Sequence, residues 1–168
     1  MRFILDALAS FPDQLAAHFA AVPEARRHWA PASWDGVPSE RLTAIEQLCH
    51  VRDIEIEGYH IRFRRTLNED RPTLPGVDTY AYARDRDYAS ADPEQVLAEF
   101  RAARATTLQM LRDLDEASFD RKADFDDYGP VTLRSLVHYL CSHDQQHLAG
   151  LQWLLGKMHG GGDPPISS

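Results

Sequence analysis

The hydrophobic positions of the chain recur every three or four residues, and this spacing predicts helices nearly throughout. No segment shows a convincing alternation of apolar and polar residues, so no strand is predicted. Pro12 interrupts the first apolar stripe, either as a kink or as the start of a second helix after Ser10. The residues of that first stripe are Ile4, Leu8, Phe11, Leu15, Phe19 and Val22.

Capping residues predict where the other three helices begin. The second is predicted from an N-cap at Ser39 to about Leu67, the third from Asp92-Pro93, and the fourth from Thr132 to about Lys157. These four helices predict an all-α domain over residues 1–158, a four-helix bundle with a long crossover connection between helices 2 and 3. That connection, residues 68–91, is either a functional loop or a strap that packs its tyrosines over the bundle. Residues 159–168 contain too few apolar side chains to pack and predict a disordered tail.

Composition narrows the classes of function. The chain has 168 residues, and 26 acidic side chains against 18 basic ones give a net charge of -8. This charge opposes nucleic-acid binding, which needs clustered Lys and Arg. The two cysteines imply no disulfide framework, and an acid at Asp6 interrupts any leader-like N-terminal segment. No apolar run is long enough to span a membrane, so we expect a cytoplasmic protein.

The fourth helix carries two histidines where its apolar stripe predicts leucine. His143 and His147 are four residues apart, so they point within about 40° of each other. Buried polar rings need partners, which either a shared metal ion or hydrogen bonds can supply. The two histidines have the i, i+4 spacing of the helical zinc-protease motif, but the glutamate that follows the first histidine in that motif is absent. His50 and His60 of the second helix are both candidates for a third ligand, and periodicity does not choose between them.

These residues resemble the DinB-like (DinB/YfiT) superfamily of bacterial four-helix-bundle metalloproteins. The second helix reads LCHVRDIE over residues 48–55, similar to the L-x-H-hydrophobic-x-D segment of that family, and follows a loop containing Trp34. The fourth helix has a Thr-Leu start followed by H-D-x-x-H. The Arg71-Pro72 segment and the FRAAR stretch at residues 100–104 are also similar. The resemblance implies a metal site made of His50, His143 and His147.

A three-histidine site leaves an open coordination position, which is the arrangement of catalytic metal centres. Such a site can activate water or bind a thiolate. Imidazole ligands suit zinc or nickel, with iron or copper as alternatives. Asp53 and Glu57 are weak candidates for orienting a ligand or acting as a general base, and a solvated helix face is the alternative. Asp144 is expected to orient a ring from another helix or to meet solvent.

The resemblance implies a metal-dependent enzyme of unknown substrate, either a hydrolase or a transferase that uses a low-molecular-weight thiol. The alternative is a non-catalytic, stress-associated metal-binding bundle. A homodimer is expected in either case, with the second apolar side of helix 2 (Val51, Ile54 and Ile61) as the interface. Five arginines could bind an anionic thiol or phosphate, and the alternative is that they are simply solvated. They are Arg62, Arg64, Arg65, Arg84 and Arg86.

Overall fold

The computed structural model describes residues 1–126 and 128–160. Its α-helices are α1 (Arg2–Ala20), α2 (Ala44–Asp53), α3 (His60–Asn68), α4 (Thr79–Asp85), α5 (Pro93–Leu111) and α6 (Leu133–His159). A π-helical segment (Ile54–Tyr59) joins α2 to α3 without a break. Its strands are β1 (Thr73–Leu74), β2 (Lys122–Phe125) and β3 (Gly129–Thr132). The four-helix bundle consists of α1, the continuous α2–π–α3 helix, α5 and α6, so the predicted fold class is confirmed.

The helix starts follow the capping chemistry, with one correction. Asp92 accepts a hydrogen bond from the Glu94 backbone N–H and Thr132 caps α6, as predicted. The predicted N-cap at Ser39 is wrong, because the second helix begins at Ala44. There Glu46 Oε2 accepts hydrogen bonds from the backbone N–H and the hydroxyl of Thr43, each at 2.8 Å. Glu46 thus satisfies a backbone N–H at the helix start, four residues beyond Ser39, and stabilises that start.

Two other helix boundaries differ slightly from the prediction. Helix α1 continues through the buried Pro12 without a break. Helix α6 extends to His159 rather than ending near Lys157. Residues 161–168, which hold most of the predicted tail, lie outside the described residues.

The crossover between the second and third bundle helices contains β1, α4 and a short 3-10 turn at Tyr88–Ser90. Tyr88 is buried, and its hydroxyl donates a hydrogen bond of 2.7 Å to Asp53 Oδ2. Tyr80 remains exposed. The segment is therefore a strap attached to the bundle, with Tyr88 bonded to Asp53 and Tyr82 partly buried against the core. It also brings residues 76, 77 and 79 to the pocket described below.

The small sheet was not predicted. β1 pairs in parallel with β2, with Thr73 opposite Asp124, and β2 pairs antiparallel with β3, with Lys122 opposite Thr132. Strands of two to four residues are too short for alternation to be recognised in the sequence. The sheet lies at one end of the bundle and contributes Phe125 to the wall of a pocket beside α6.

A buried ion-pair network crosses the core. The guanidinium of Arg104 donates hydrogen bonds to both carboxylate oxygens of Glu55 and of Asp144, at 2.7 to 3.0 Å. All three side chains are 1% exposed. Pairing of this kind is the condition under which charges are tolerated in a core.

Among the helices of the described residues, none combines the length and the apolar character needed to cross a membrane.

Candidate metal centre

Four side chains from three parts of the chain converge at one point inside the bundle. His50 comes from α2, His143 and His147 come from α6, and Glu40 comes from the loop before α2. The ligand atoms of the four residues all lie within 4.8 Å of one another. The structure thus brings together the three histidines singled out in the sequence and adds a carboxylate.

The Nε2 atoms of the three rings face one another. His143 Nε2 lies 3.0 Å from His50 Nε2 and 3.2 Å from His147 Nε2. Glu40 Oε2 lies 3.3 Å from His147 Nε2, and Glu40 Oε1 lies 3.8 Å from His50 Nε2. Three ring nitrogens and a carboxylate oxygen therefore share one small volume.

Gln47 determines the orientation and tautomer of His147. Its amide nitrogen donates to the Leu42 carbonyl at 3.3 Å, which turns its Oε1 toward His147 Nδ1 at 3.2 Å. An amide oxygen only accepts, so Nδ1 of His147 carries the proton and donates it. In the neutral ring, Nε2 then presents a lone pair to the cluster.

A glycine permits this contact between α2 and α6. Gly150 is buried, and a Cβ atom there would come within 2.6 Å of Gln47 Oε1 and would also collide with Ser39. Since real Cβ atoms do not approach this closely, any larger residue at this position displaces the Gln47 amide. The close approach of backbone to side chain therefore requires glycine at position 150.

Burial keeps the rings neutral. It lowers the pKa of His143 and His147 well below the ordinary value for histidine, and His50 lowers the pKa of both further. Burial also lowers the pKa of His50, although the charge of Glu40 opposes this effect. Neutral imidazole is the form that binds metal ions.

Several buried polar atoms of the cluster lack an ordinary partner. Among the described residues, Nδ1 of His50, Nδ1 of His143 and Glu40 Oε2 make no hydrogen bond. Glu40 Oε2 and the lone pair of His147 Nε2 face each other across 3.3 Å, although both are acceptors. Two facing acceptors repel unless a proton or a cation lies between them, and burial disfavours protonation of the ring.

The donor set fits a divalent transition-metal ion. Zinc binds imidazole nitrogen at about 2.0–2.1 Å, and tetrahedral geometry then separates two ligand nitrogens by about 3.3 Å. The two separations of 3.0 and 3.2 Å between ring nitrogens are close to this spacing. His50, His143 and His147 would hold the ion, and Glu40 would lie beside its remaining coordination position.

Asp53 and Glu57 bond to partners other than the histidines of the cluster. Asp53 accepts hydrogen bonds from Arg52, Arg86 and Tyr88, and Glu57 pairs with Arg86. Within residues 1–126 and 128–160, neither carboxylate has a hydrogen bond to a histidine of the cluster. Both therefore serve the attachment of the crossover strap in this structure.

The remaining sequence candidates are also placed elsewhere. Asp144 pairs with Arg104, so it neither orients a histidine ring nor meets solvent. His60, the other candidate for a third ligand, hydrogen-bonds to the Ala103 carbonyl at 3.0 Å. His138, which is not a candidate ligand, is exposed on the same helix as His143 and His147.

Sequence reasoning missed Glu40 and Gln47. Gln47 precedes His50 by three residues and shares a helix face with it, so helical spacing contained a signal for it. Glu40 lies in an irregular loop, where periodicity carries no information. Only the tertiary structure brings it to the histidines.

A pocket of about 190 Å³ opens onto the cluster. His143 and Glu40 line it from the side of the cluster, and Tyr59 and Arg62 line it from the second bundle helix. The crossover strap contributes residues 76, 77 and 79, and the small sheet contributes Phe125. A small molecule in this pocket would contact the cluster directly.

The apolar side of helix 2 is largely used within the chain. Val51 and Ile54 are 1% and 5% exposed, whereas Ile61 is 41% exposed and Ile56 is 38% exposed. Only part of the side expected to form a dimer interface is therefore available to a partner. The homodimer stays a prediction from the sequence.

Comparison with known proteins identifies relatives of this fold and sequence. A model of the DinB superfamily matches residues 7–151. The protein named "Putative metal-dependent hydrolase YfiT" of Bacillus subtilis (strain 168) is 27% identical over 110 residues. That match covers 65% of this chain and 61% of the relative, which is less than two thirds of the relative's length.

The solved structure of YfiT from Bacillus subtilis superposes with a TM-score of 0.78. It covers 94% of this chain and 86% of that one, at 22% identity, and is described as a probable metal-dependent hydrolase with an unusual four-helix bundle topology. At this identity, the likeness establishes the fold alone.

Proposed function

Because the chain belongs to the DinB superfamily, we propose that it is a metal-dependent hydrolase whose divalent ion is held by His50, His143 and His147. Zinc and nickel are the favoured ions because three neutral imidazoles suit both. The name of YfiT as a metal-dependent hydrolase supports the reaction class. The substrate class is a small ester or amide that fits the pocket beside His143.

One observation carries this proposal. Glu40 Oε2 and the lone pair of His147 Nε2 face each other at 3.3 Å, and within the described residues Glu40 Oε2 accepts no hydrogen bond. The hydrogen bond from His147 Nδ1 to Gln47 fixes that lone pair toward Glu40. A cation at the centre of the cluster converts this repulsion into attraction for all four ligand atoms.

Each residue of the site has a distinct role in the proposed hydrolysis. A bound divalent ion supplies Lewis-acid activation of water and of a substrate carbonyl. The three histidines hold that ion, and Gln47 keeps the His147 ring in the binding tautomer. Glu40 is 27% exposed and lines the pocket, so its carboxylate can accept the proton of an attacking water.

The proposed reaction balances without a further reactant. Water adds to the acyl carbon and gives one proton to Glu40. The acyl–oxygen or acyl–nitrogen bond then breaks, and Glu40 returns the proton to the leaving group. A thiol-dependent transfer would use the same metal with a thiolate as nucleophile, so the assay below includes it as a separate arm.

Metal content tests the first half of the proposal. Protein purified without a His-tag is analysed by elemental mass spectrometry, and we expect about one transition-metal ion per chain. His147→Ala should lose most of this metal, whereas the matched control His138→Ala, which changes an exposed histidine of the same helix, should retain it. Equally little metal in wild type and both variants would contradict the proposal.

Turnover tests the second half. The zinc- or nickel-loaded protein is screened against small esters and amides, and in a separate arm against an electrophile with a low-molecular-weight thiol. Glu40→Gln should keep the metal and lose ester or amide turnover by roughly 10²–10⁴-fold, the range for a general base. Glu94→Gln, which makes the same change at an exposed glutamate of α5 outside the pocket, is the control and should retain turnover.

The outcomes separate the candidate functions. Turnover only in the thiol arm would replace the hydrolase with a transferase. Bound metal without turnover in either arm would favour the non-catalytic metal-binding protein.

A further inference from the structure

Four of the five arginines considered for anion recognition have partners within the chain. Arg64 donates to a backbone carbonyl, and the other three donate to carboxylates. Their guanidinium groups are therefore already engaged. The four pairs are Arg64 with the His60 carbonyl, Arg65 with Glu69, Arg84 with Asp85, and Arg86 with Asp53 and Glu57.

Arg62 differs from these four in burial and in pairing. It is 6% exposed, and its Nε is buried without a hydrogen-bond partner. Within residues 1–126 and 128–160, its guanidinium makes no ion pair. Aromatic rings hold it in place, with its Cζ 5.0 Å from the ring centroid of Tyr59 and 4.4 Å from that of Phe125.

A buried, unpaired guanidinium is stabilised when an anion binds beside it. Burial of a charge is unfavourable unless the charge is paired, and contacts with aromatic rings compensate only in part. The planar guanidinium has five N–H donors, which match the two oxygens of a carboxylate or the oxygens of a phosphate. Arg62 lines the same pocket as His143 and Glu40.

We propose that Arg62 binds an anionic group of the substrate, a carboxylate or phosphate, in the pocket beside the three-histidine cluster. The catalytic part of this inference rests on the proposed hydrolase function, whereas the anion site itself does not. The pocket of about 190 Å³ is smaller than the roughly 300–1,000 Å³ of sites for drug-sized ligands. The substrate is therefore a small molecule with a negative charge near its scissile bond.

Two acidic side chains of the pocket wall are compatible with this anion site. Glu40 lies against the histidines, with its Oε2 3.3 Å from His147 Nε2, and within the described residues it makes no ion pair with Arg62. Asp126 is exposed, and solvent screens its charge. Among the pocket residues that the structure describes, Arg62 is thus the buried charge without an ion-pair partner.

The first test measures anion binding directly. The full-length chain, stripped of metal by a chelator, is titrated with inorganic phosphate or with acetate at constant ionic strength. Binding is followed through the Nε–H resonance of Arg62 in ¹⁵N–¹H spectra. We expect this resonance to shift saturably with at least one anion, while that of Arg64, which is bonded to a backbone carbonyl, stays in place.

The stronger of the two ligands identifies the anionic group. A resonance of Arg62 that moves with neither anion would overturn the proposal. Parallel, unsaturable movement of the Arg62 and Arg64 resonances would also overturn it, because such movement reports only a general salt effect.

The second test uses activity of the zinc-loaded protein. Two esters of equal length are compared, one ending in the anionic group and one ending in a methyl group. Wild type should prefer the anionic ester, and Arg62→Met should reduce the ratio of the two kcat/KM values by roughly 10- to 100-fold. Arg64→Met, on the exposed side of the same helix, should leave this ratio unchanged.

The two tests fail in distinguishable ways. If anions bind at Arg62 but the protein binds no metal or turns over no ester, the hydrolase function fails and the anion site stands. If both esters react equally well and no anion binds, the anion site fails and the metal centre stands.

Discussion

Gln47 should control metal affinity through a single hydrogen bond. In Gln47→Leu, the buried His147 Nδ1 loses its acceptor at 3.2 Å, and the ring is free to change tautomer or rotate. Loss of such an orienting partner typically weakens metal binding by roughly 10- to 100-fold, or about 1.4–2.8 kcal/mol. The assay is a competition titration of zinc against a chromophoric chelator. Unchanged zinc affinity in a folded Gln47→Leu protein would refute the reasoning about the tautomer.

Substitutions at two glycines of α6 test the same contact between Gln47 and His147 by steric displacement, again through zinc affinity. Gly150→Ala places a methyl group 2.6 Å from Gln47 Oε1 and should weaken zinc binding, although residue 150 is not itself a proposed ligand. Gly156→Ala, for which no atom lies within 4 Å of the new Cβ, should keep full zinc affinity and stabilise the fold by about 0.4–1 kcal/mol. Equal zinc affinity in the two variants would show that the Gln47 contact does not position His147.

The remaining predictions concern stability, measured by urea denaturation. Arg104→Met leaves the buried carboxylates of Glu55 and Asp144 without their cation and should lower the free energy of unfolding by about 3–5 kcal/mol, whereas Arg101→Met, which breaks an exposed ion pair, should change it by about 0.5 kcal/mol or less. Equal effects would contradict the structural role of the network. Thr43→Ala removes the capping side chain of α2 and should cost about 0.5–2 kcal/mol, and an unchanged midpoint would show that this cap is dispensable.

Helical periodicity predicted the bundle and half of the cluster because both depend on local spacing. The apolar stripe of α6 placed His143 and His147 on the core face, where the structure has them. For the second helix, the π segment at Ile54–Tyr59 changes the hydrogen-bond spacing and shifts the phase of all later positions. A constant period of 3.6 residues across this segment therefore could not decide between His50 and His60.

The rest of the site depends on tertiary contacts that leave no local pattern. Glu40 reaches the histidines from an irregular loop. That Arg62 has no ion-pair partner among the described residues becomes visible only in the structure. The sheet escaped prediction because β1 has two residues and β2 has four. Capping chemistry placed Asp92 and Thr132 correctly but failed at Ser39, since the capping box of Thr43 and Glu46 provides a better helix start.

The most direct test of the metal centre is an anomalous-difference map from crystals of untagged protein, with data on both sides of the absorption edge of the metal found by elemental analysis. The account predicts a single strong peak about 2.0–2.1 Å from the Nε2 atoms of His50, His143 and His147 if the metal is zinc. A map without a peak among these three nitrogens, from protein that carries metal elsewhere, would contradict it.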